Sequence, residues 1–176
     1  MKIIIMMVST MNGKITDTND PDIYKWTSKE DKSAFMKYIS KSSLIVMGRK
    51  TYEAAKNIIR LNKNQRRIVL TKDPHNYISD EVPGQLEFMS KTPKNLVKEL
   101  NDEGYSQMLL VGGSTTNFQF LQEELVNEIH LTVEPLIFGS GVSFIDEAEL
   151  KIQLQLKSMK RLNSRGTIVL KYKVLN

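Results

Sequence analysis

Two stretches of the chain each join a run of apolar residues to glycines and then to the start of a helical pattern. The first, residues 43–53, reads SLIVMGRKTYE and has an arginine and a lysine directly after its glycine. The second, residues 108–116, reads MLLVGGSTT. The first amides of a helix lack intrahelical partners and attract anions, and glycine lets a ligand lie against bare backbone. Either stretch alone is also explained by an ordinary strand-to-helix turn, but the two together predict a nucleotide-binding crevice at the carboxyl ends of parallel strands.

A carboxylate at the head of an apolar helical stripe is the second candidate for chemistry. Thr27 and Glu30 have the spacing of a capping box, which predicts a helix that opens at Thr27. Asp31 lies four residues before Phe35, so both side chains project from the same face of that helix. One interpretation is that Asp31 only complements the helix dipole, as first-turn acids commonly do. The other is that it faces a ligand.

Alternating strand and helix patterns form the framework that positions these residues. Residues 151–162 and 166–175 alternate apolar and polar side chains around a short turn, which predicts an antiparallel hairpin. We therefore predict an α/β fold, with a doubly wound, mostly parallel central sheet that is flanked by helices and closed by this C-terminal hairpin. No linker-like stretch divides the chain, so we expect a single domain over residues 1–176. Buried apolar runs predict the other strands at 2–8, 44–47, 67–71, 86–89, 108–111 and 129–133.

Composition narrows the class of protein. With 176 residues, 40% hydrophobic and 26% charged, the chain fits a soluble globular protein. No apolar run approaches the roughly 20 residues of a membrane helix, and we expect neither a membrane segment nor a signal peptide. The absence of cysteine excludes disulfides and thiolate nucleophiles and fits a cytoplasmic protein. His75 and His130 show no metal-ligand spacing, so we predict no metal site.

The formal net charge of +5 is spread along the chain without a basic block. This distribution does not predict nucleic-acid binding, whereas a modest positive field suits an anionic small molecule. The sequence also lacks a G-x-S-x-G motif and a P-loop. A site that is poor in nucleophiles suits hydride transfer, in which a nicotinamide carries the chemistry and the protein aligns the reactants.

Three segments of the chain resemble the cofactor-binding segments of dihydrofolate reductase, in the same order and at about the same spacing. They are residues 46–53, 69–72 and 111–113. The opening strand with residues 13–15, and the late segment 131–135, fit the wider superfamily that includes the riboflavin-pathway pyrimidine reductases. The resemblance covers nearly the whole chain and implies an NADPH-dependent reductase with the dihydrofolate reductase fold.

The resemblance also implies which residues hold NADPH. Thr71 and Lys72 would take the 2′-phosphate, and Ile15 and Thr16 would form a mobile loop that touches the nicotinamide. The implied cofactor-binding residues are Met7, Val8, Ile15, Thr16, Gly48, Arg49, Lys50, Thr51, Thr71, Lys72, Val111, Gly112, Gly113, Ser114 and Thr115.

For the substrate, the resemblance implies that Asp31 is the catalytic acid. It would pair with the amidine-like edge of a pterin through two charge-assisted hydrogen bonds. The other implied substrate contacts are Met6, Val8, Phe35 and Thr132. The implied reaction is the reduction of 7,8-dihydrofolate to tetrahydrofolate, and the implied partners are this small molecule and, at most, a second copy of the chain.

Four positions depart from the family patterns. Gln65 stands where dihydrofolate reductase has the arginine that binds the glutamate tail of folate, and Asn117 resembles the riboflavin-pathway enzymes. Against that pathway, Val111 replaces the usual glutamate and Asn12 replaces the usual aspartate. We predict dihydrofolate as the substrate because of Asp31 and the 48–53 string. The alternatives are 5-amino-6-(5-phosphoribosylamino)uracil reduction and a non-catalytic nucleotide-binding module.

Overall fold

The computed structural model describes residues 1–18 and 22–175, and within them eight strands form one sheet. The strands are β1 Lys2–Thr10, β2 Leu44–Gly48, β3 Arg66–Leu70, β4 Leu86–Met89, β5 Gln107–Leu110, β6 Glu128–Glu134, β7 Gln153–Arg161 and β8 Ile168–Leu175. Their order is β4-β3-β2-β5-β1-β6-β8-β7. The first six in this order pair in parallel, and β8 pairs antiparallel with both of its neighbours, β6 and β7. The predicted fold class, including the closing hairpin, is therefore confirmed.

Helices cover both faces of the sheet. They are α1 Ile23–Trp26, α2 Lys29–Ile39, α3 Arg49–Ala55, α4 Pro93–Asp102 and α5 Ser114–Gln122, with a 3₁₀ helix at Pro74–Asp80. All five residues of β2 are buried, as expected for a strand that is covered on both sides. Successive β2 residues alternate between two hydrophobic clusters, one shared with α4 and α5 and the other with α2 and α3. No helix in the described ranges is long and apolar enough to span a bilayer.

The start of α2 differs from the sequence-based prediction. Ser28 is the N-cap, and its hydroxyl accepts a hydrogen bond from the Asp31 amide at 3.2 Å. Thr27 instead ends α1, and its hydroxyl donates to Ile23 O. The predicted capping box of Thr27 and Glu30 is therefore wrong, because the short preceding helix uses Thr27 as its C-cap and moves the start of α2 by one residue.

The N-cap assignment predicts a difference between two serines of the same region. Ser28→Ala should lower the free energy of unfolding by about 1 kcal/mol, because the Asp31 amide loses its acceptor. Ser33→Ala, at an exposed position within α2, is the matched control and should be neutral or slightly stabilising. Urea unfolding of both variants measures the difference. Equal effects would contradict the assignment of Ser28 as the cap.

Candidate active site

One large cavity lies along the α2 and α3 side of the sheet and opens at the carboxyl ends of the parallel strands. Its volume is about 1640 Å³, whereas a site for one drug-sized ligand is typically about 300–1,000 Å³. The structure brings nearly all the predicted site residues together on its wall. These are Met6, Met7, Val8, Ile15, Thr16, Asp31, Phe35, Gly48, Arg49, Lys50, Thr51, Thr71, Lys72, Val111, Gly113, Ser114, Thr115 and Thr132.

Gly112 is the predicted site residue that does not line the cavity. It is buried behind the wall, where its carbonyl accepts a hydrogen bond from the Gly48 amide at 2.8 Å. It has a φ of +87°, and a Cβ there would lie 2.7 Å from the Met7 sulfur. The requirement for glycine therefore comes from its backbone conformation and from Met7, rather than from the approach of a ligand.

The helices α3 and α5 begin side by side at the cavity, each after a glycine. Gly48 and Gly113 are their N-caps, and neither helix start is capped by a side chain. By contrast, Ser28 and Thr92 cap α2 and α4 with their hydroxyls. The hydroxyl of Ser114, in the first turn of α5, is buried without a hydrogen-bond partner. This side of the cavity can accept an anionic ligand on backbone amides and a hydroxyl.

Cationic side chains border the same side of the cavity. Arg49 is held by its own helix, since its Nη1 lies 2.8 Å from both carboxylate oxygens of Glu53. Lys50 and Lys72 are exposed. The hydroxyl of Thr71 accepts a hydrogen bond from the Asp73 amide at 3.3 Å. A phosphate here would therefore compete with Glu53 for Arg49, but Lys72 is accessible to it without any such exchange.

Asp31 lies on the opposite side of the cavity and is only 7% exposed. Burial raises the pKa of its carboxyl to about 6. A hydrogen bond from Thr132 and the charge of Lys32 oppose this rise, while the charge of Glu134 adds to it. Thr132 on β6 is itself buried. An acid whose pKa lies near neutral can exist in both protonation states under ordinary conditions, as proton transfer requires.

Glu134 is a buried carboxylate that the sequence analysis missed. It is 3% exposed, and its oxygens accept hydrogen bonds from the Ser28 amide at 2.7 Å and the Thr167 hydroxyl at 2.6 Å. It therefore joins the start of α2 to β6 and to the loop before β8. Its place two residues after Thr132 puts both on one face of the strand, which was the available signal.

Gln65 lies at the other end of the cavity, where folate binding would call for an arginine. Its side-chain amide donates to the carbonyls of Ile39 and Ser42, the latter at 2.7 Å. These bonds fasten the carboxyl end of α2 to the start of β3. Gln65 is therefore engaged within the protein and supplies no charge for a carboxylate.

Comparisons with known proteins identify the family to which this chain belongs. A sequence model of the RibD C-terminal domain matches residues 1–168. The uncharacterized protein YwjB of Bacillus subtilis is 27% identical over 119 residues, which make up 66% of each chain.

Two solved structures share the fold. The diaminohydroxyphosphoribosylaminopyrimidine deaminase/5-amino-6-(5-phosphoribosylamino)uracil reductase of Thermotoga maritima matches 99% of this chain with a TM-score of 0.76 and 15% identity. The match spans 56% of that longer chain. A dihydrofolate reductase from Enterococcus faecalis matches 99% of this chain and 97% of its own, with a TM-score of 0.70 and 17% identity. Since the sequence model covers residues 1–168, the chain belongs to the RibD C-terminal domain family.

Proposed function

We propose that this protein is an NADPH-dependent reductase that transfers a hydride to a phosphoribosylamino-pyrimidine, 5-amino-6-(5-phosphoribosylamino)uracil or a close relative. The observation that carries the proposal is that one cavity has two uncapped helix starts on one side and the buried Asp31 on the other. Its volume of about 1640 Å³ leaves room for a cofactor and a substrate together. Membership of the RibD C-terminal domain family favours the pyrimidine substrate.

The residues on the helix-start side fit a dinucleotide. A Cβ on Gly113 would lie 3.3 Å from the Thr51 hydroxyl oxygen. The space beside this strand end is therefore open because residue 113 has no side chain. The unpartnered hydroxyl of Ser114 offers a donor to a phosphate. Thr71 and Lys72 border the cavity, and we assign them the 2′-phosphate that distinguishes NADPH from NADH. NADPH, when bound, supplies the hydride.

The residues on the Asp31 side would hold the acceptor and manage its proton. In the open-chain form of the phosphoribosylamino group, the C1′–O bond of the sugar ring is broken and C1′ is joined to the attached nitrogen by a double bond. Reduction of this C1′=N bond adds a hydride to C1′ and a proton to the nitrogen, which leaves an open ribityl chain. As a carboxylate, Asp31 can accept two parallel hydrogen bonds from the N–H edge of a pyrimidine. Because its pKa is about 6, it can also take a proton from solvent and pass it, directly or through a water, to the acceptor nitrogen. Thr132 lowers the pKa of Asp31 and so favours the carboxylate form that would accept these hydrogen bonds.

Dihydrofolate, the substrate predicted from the sequence, is the second candidate. The pairing of Asp31 with Thr132 in the cavity favours it, since both residues match the pterin-binding positions of the resemblance. Gln65 weighs against it, because its amide is bonded to Ile39 and Ser42 and offers no cation for the glutamate tail. The phosphoribosylamino-pyrimidine has no glutamate tail and needs no such arginine.

A comparison of two substrates tests the proposal. NADPH oxidation is followed with 5-amino-6-(5-phosphoribosylamino)uracil and with dihydrofolate, and NADPH affinity is measured separately. A larger kcat/KM for the pyrimidine supports the proposal, whereas a larger value for dihydrofolate supports the second candidate. Tight NADPH binding without turnover of either substrate would contradict both and indicate a nucleotide-binding module.

Gly113→Ala should weaken NADPH binding at least about 10-fold, because the added methyl group would keep a phosphate from lying against the backbone. The loss of one good hydrogen bond to a charged group has an effect of this size. The added methyl group meets only Thr51 at 3.3 Å, so the protein should still fold. Gly139→Ala is the matched control, because a Cβ there meets nothing within 4 Å. Fluorescence titration with NADPH measures all three proteins. An unchanged dissociation constant for Gly113→Ala would place the cofactor elsewhere.

Asp31→Asn should slow hydride transfer by about 10²–10⁴-fold near pH 7, the range that acid–base assistance supplies. The same change should stabilise the protein. The folded-state pKa of about 6 lies above the ordinary value of 3.8, so this carboxyl favours folding at low pH and loses that contribution as the pH rises through 6. At pH 7 its removal should therefore raise the free energy of unfolding by on the order of 1–3 kcal/mol.

The exposed first-turn acid Glu30 is the control for Asp31. If Asp31 only complements the helix dipole, Asp31→Asn and Glu30→Gln should each destabilise α2 by a few tenths of a kcal/mol and leave turnover unchanged. Single-turnover kinetics and urea unfolding, each at pH 5 and pH 7, separate the two explanations.

A further inference from the structure

Arg67 on β3 has a buried guanidinium group that the reductase mechanism does not use. The residue is 5% exposed, and its Nη1 is buried without a hydrogen-bond partner. Among the described residues, its side chain forms no ion pair, and burial lowers the pKa of Arg67 without a carboxylate to offset it. Arginine keeps its charge in proteins, and a buried charge without a partner is costly. Such a group calls for a partner that comes from outside the chain.

The neighbouring residue, Arg66, is an arginine whose guanidinium is neutralised by carboxylates of the same chain. Arg66 pairs with Glu87 at 2.7 Å and also with Glu103. Successive strand residues point to opposite faces, so Arg66 and Arg67 face opposite sides of the sheet. Arg66 does not line the cavity, whereas Arg67 does.

The position of Arg67 defines one end of the cavity. Its register partners on the adjacent strands are Ile45 and Leu86, which belong to the hydrophobic cluster that also contains Ile39. Ile39 and Asp31 both line the cavity and lie eight residues apart on α2. At 1.5 Å per residue, the Ile39 end lies about 12 Å from Asp31 along the helix axis. A ligand anchored at Asp31 could therefore extend a substituent of several bonds to Arg67.

We infer that Arg67 binds an oxyanion on the substituent of the substrate, at the end of the cavity remote from Asp31. The position of the substrate rests on the proposed function, but binding of the oxyanion to Arg67 does not. A guanidinium fork matches the oxygens of a phosphate or a carboxylate. The negative charge of such a ligand would pair with the buried positive charge of Arg67, for which the described residues provide no carboxylate. The oxyanion could be the phosphate of a phosphoribosyl group or a carboxylate on a longer tail.

The competing explanation is that Arg67 only packs its methylene stem against the apolar cluster. The two explanations differ in what a methionine would do at this position. Arg67→Met keeps the length of the side chain and removes the unpaired charge, so the free protein should keep or gain stability while it loses oxyanion binding. Arg66→Met is the matched control, since it breaks two ion pairs on the other face and should lose stability but not oxyanion binding.

The experiment uses the full chain without NADPH, so that no hydride transfer can take place, and two probes, ribose 5-phosphate and p-aminobenzoylglutamate. Calorimetric titration gives the affinity of the parent, Arg67→Met, Arg67→Lys and Arg66→Met. We expect one probe to bind the parent, to lose about 10- to 100-fold in affinity with Arg67→Met, and to keep its affinity with Arg66→Met. Arg67→Lys, which keeps the charge without the fork, should lie between the parent and Arg67→Met.

The probe that binds identifies the oxyanion as a phosphate or as a carboxylate. Equal affinity of that probe for the parent and Arg67→Met would overturn the inference, and so would the failure of both probes to bind the parent at millimolar concentration. Failure of Arg67→Met to fold would support the packing explanation instead. Because the titrations contain no NADPH and measure binding alone, a failure of the proposed reductase activity would leave these outcomes unaffected.

Discussion

The site depends on the close approach of two strand ends that carry no side chains. The amide of Gly48, at the end of β2, donates to the carbonyl of Gly112, two residues after the end of β5. A Cβ on Gly48 would collide with the Thr116 hydroxyl, and one on Gly112 would collide with Met7. A larger residue at Gly48 would displace Thr116 of α5, and one at Gly112 would displace the Met7 side chain and adopt a strained backbone conformation. Because the two ends meet, α3 and α5 begin next to each other, and the first residues of both helices line one cavity.

The remaining wall of the cavity contains charges that stability alone does not explain. Asp31 and Arg67 are both buried, and neither forms an ion pair among the described residues. Glu134 is also buried, and its two oxygens accept hydrogen bonds from the Ser28 amide and the Thr167 hydroxyl. Burial of unpaired charge lowers stability, and proteins concentrate such groups where a ligand or a reaction uses them. An acid at one end and a cation at the other suit an elongated substrate with a heterocycle and an anionic tail.

Local patterns predicted most of the fold and most of the cavity wall. Apolar runs that end in glycine mark the buried parallel strands, and the alternation after residue 151 marks the hairpin, since both signals depend only on neighbouring residues. The N-cap of α2 was misplaced by one residue because Thr27 serves the preceding helix. Glu134 and Arg67 were missed because burial of a charge is decided by tertiary packing. Their sequence neighbours do not reveal it.

The choice of substrate was the least predictable feature. The motifs that carried the resemblance, residues 46–53, 69–72 and 111–113, lie on the proposed cofactor side, and cofactor contacts do not distinguish one hydride acceptor from another. Asp31 suggested a pterin, but a carboxylate pairs equally well with the N–H edge of other pyrimidines. The match to the RibD C-terminal domain family shifts the preference to the phosphoribosylamino-pyrimidine. The role of Gln65 in fastening α2 to β3 agrees with this shift.

In the proposed reaction, this cavity brings the nicotinamide of NADPH and C1′ of the phosphoribosylamino-pyrimidine together for direct hydride transfer. The most direct measurement follows deuterium from NADPH labelled at C4 of the nicotinamide, on each face in turn, into the product by mass spectrometry. We expect deuterium from one face alone to enter the product, at C1′ of its ribityl chain, and Asp31→Asn to slow its appearance. Absence of deuterium after incubation with the phosphoribosylamino-pyrimidine and with dihydrofolate, although NADPH is bound to the protein, would show that no direct hydride transfer takes place in this cavity.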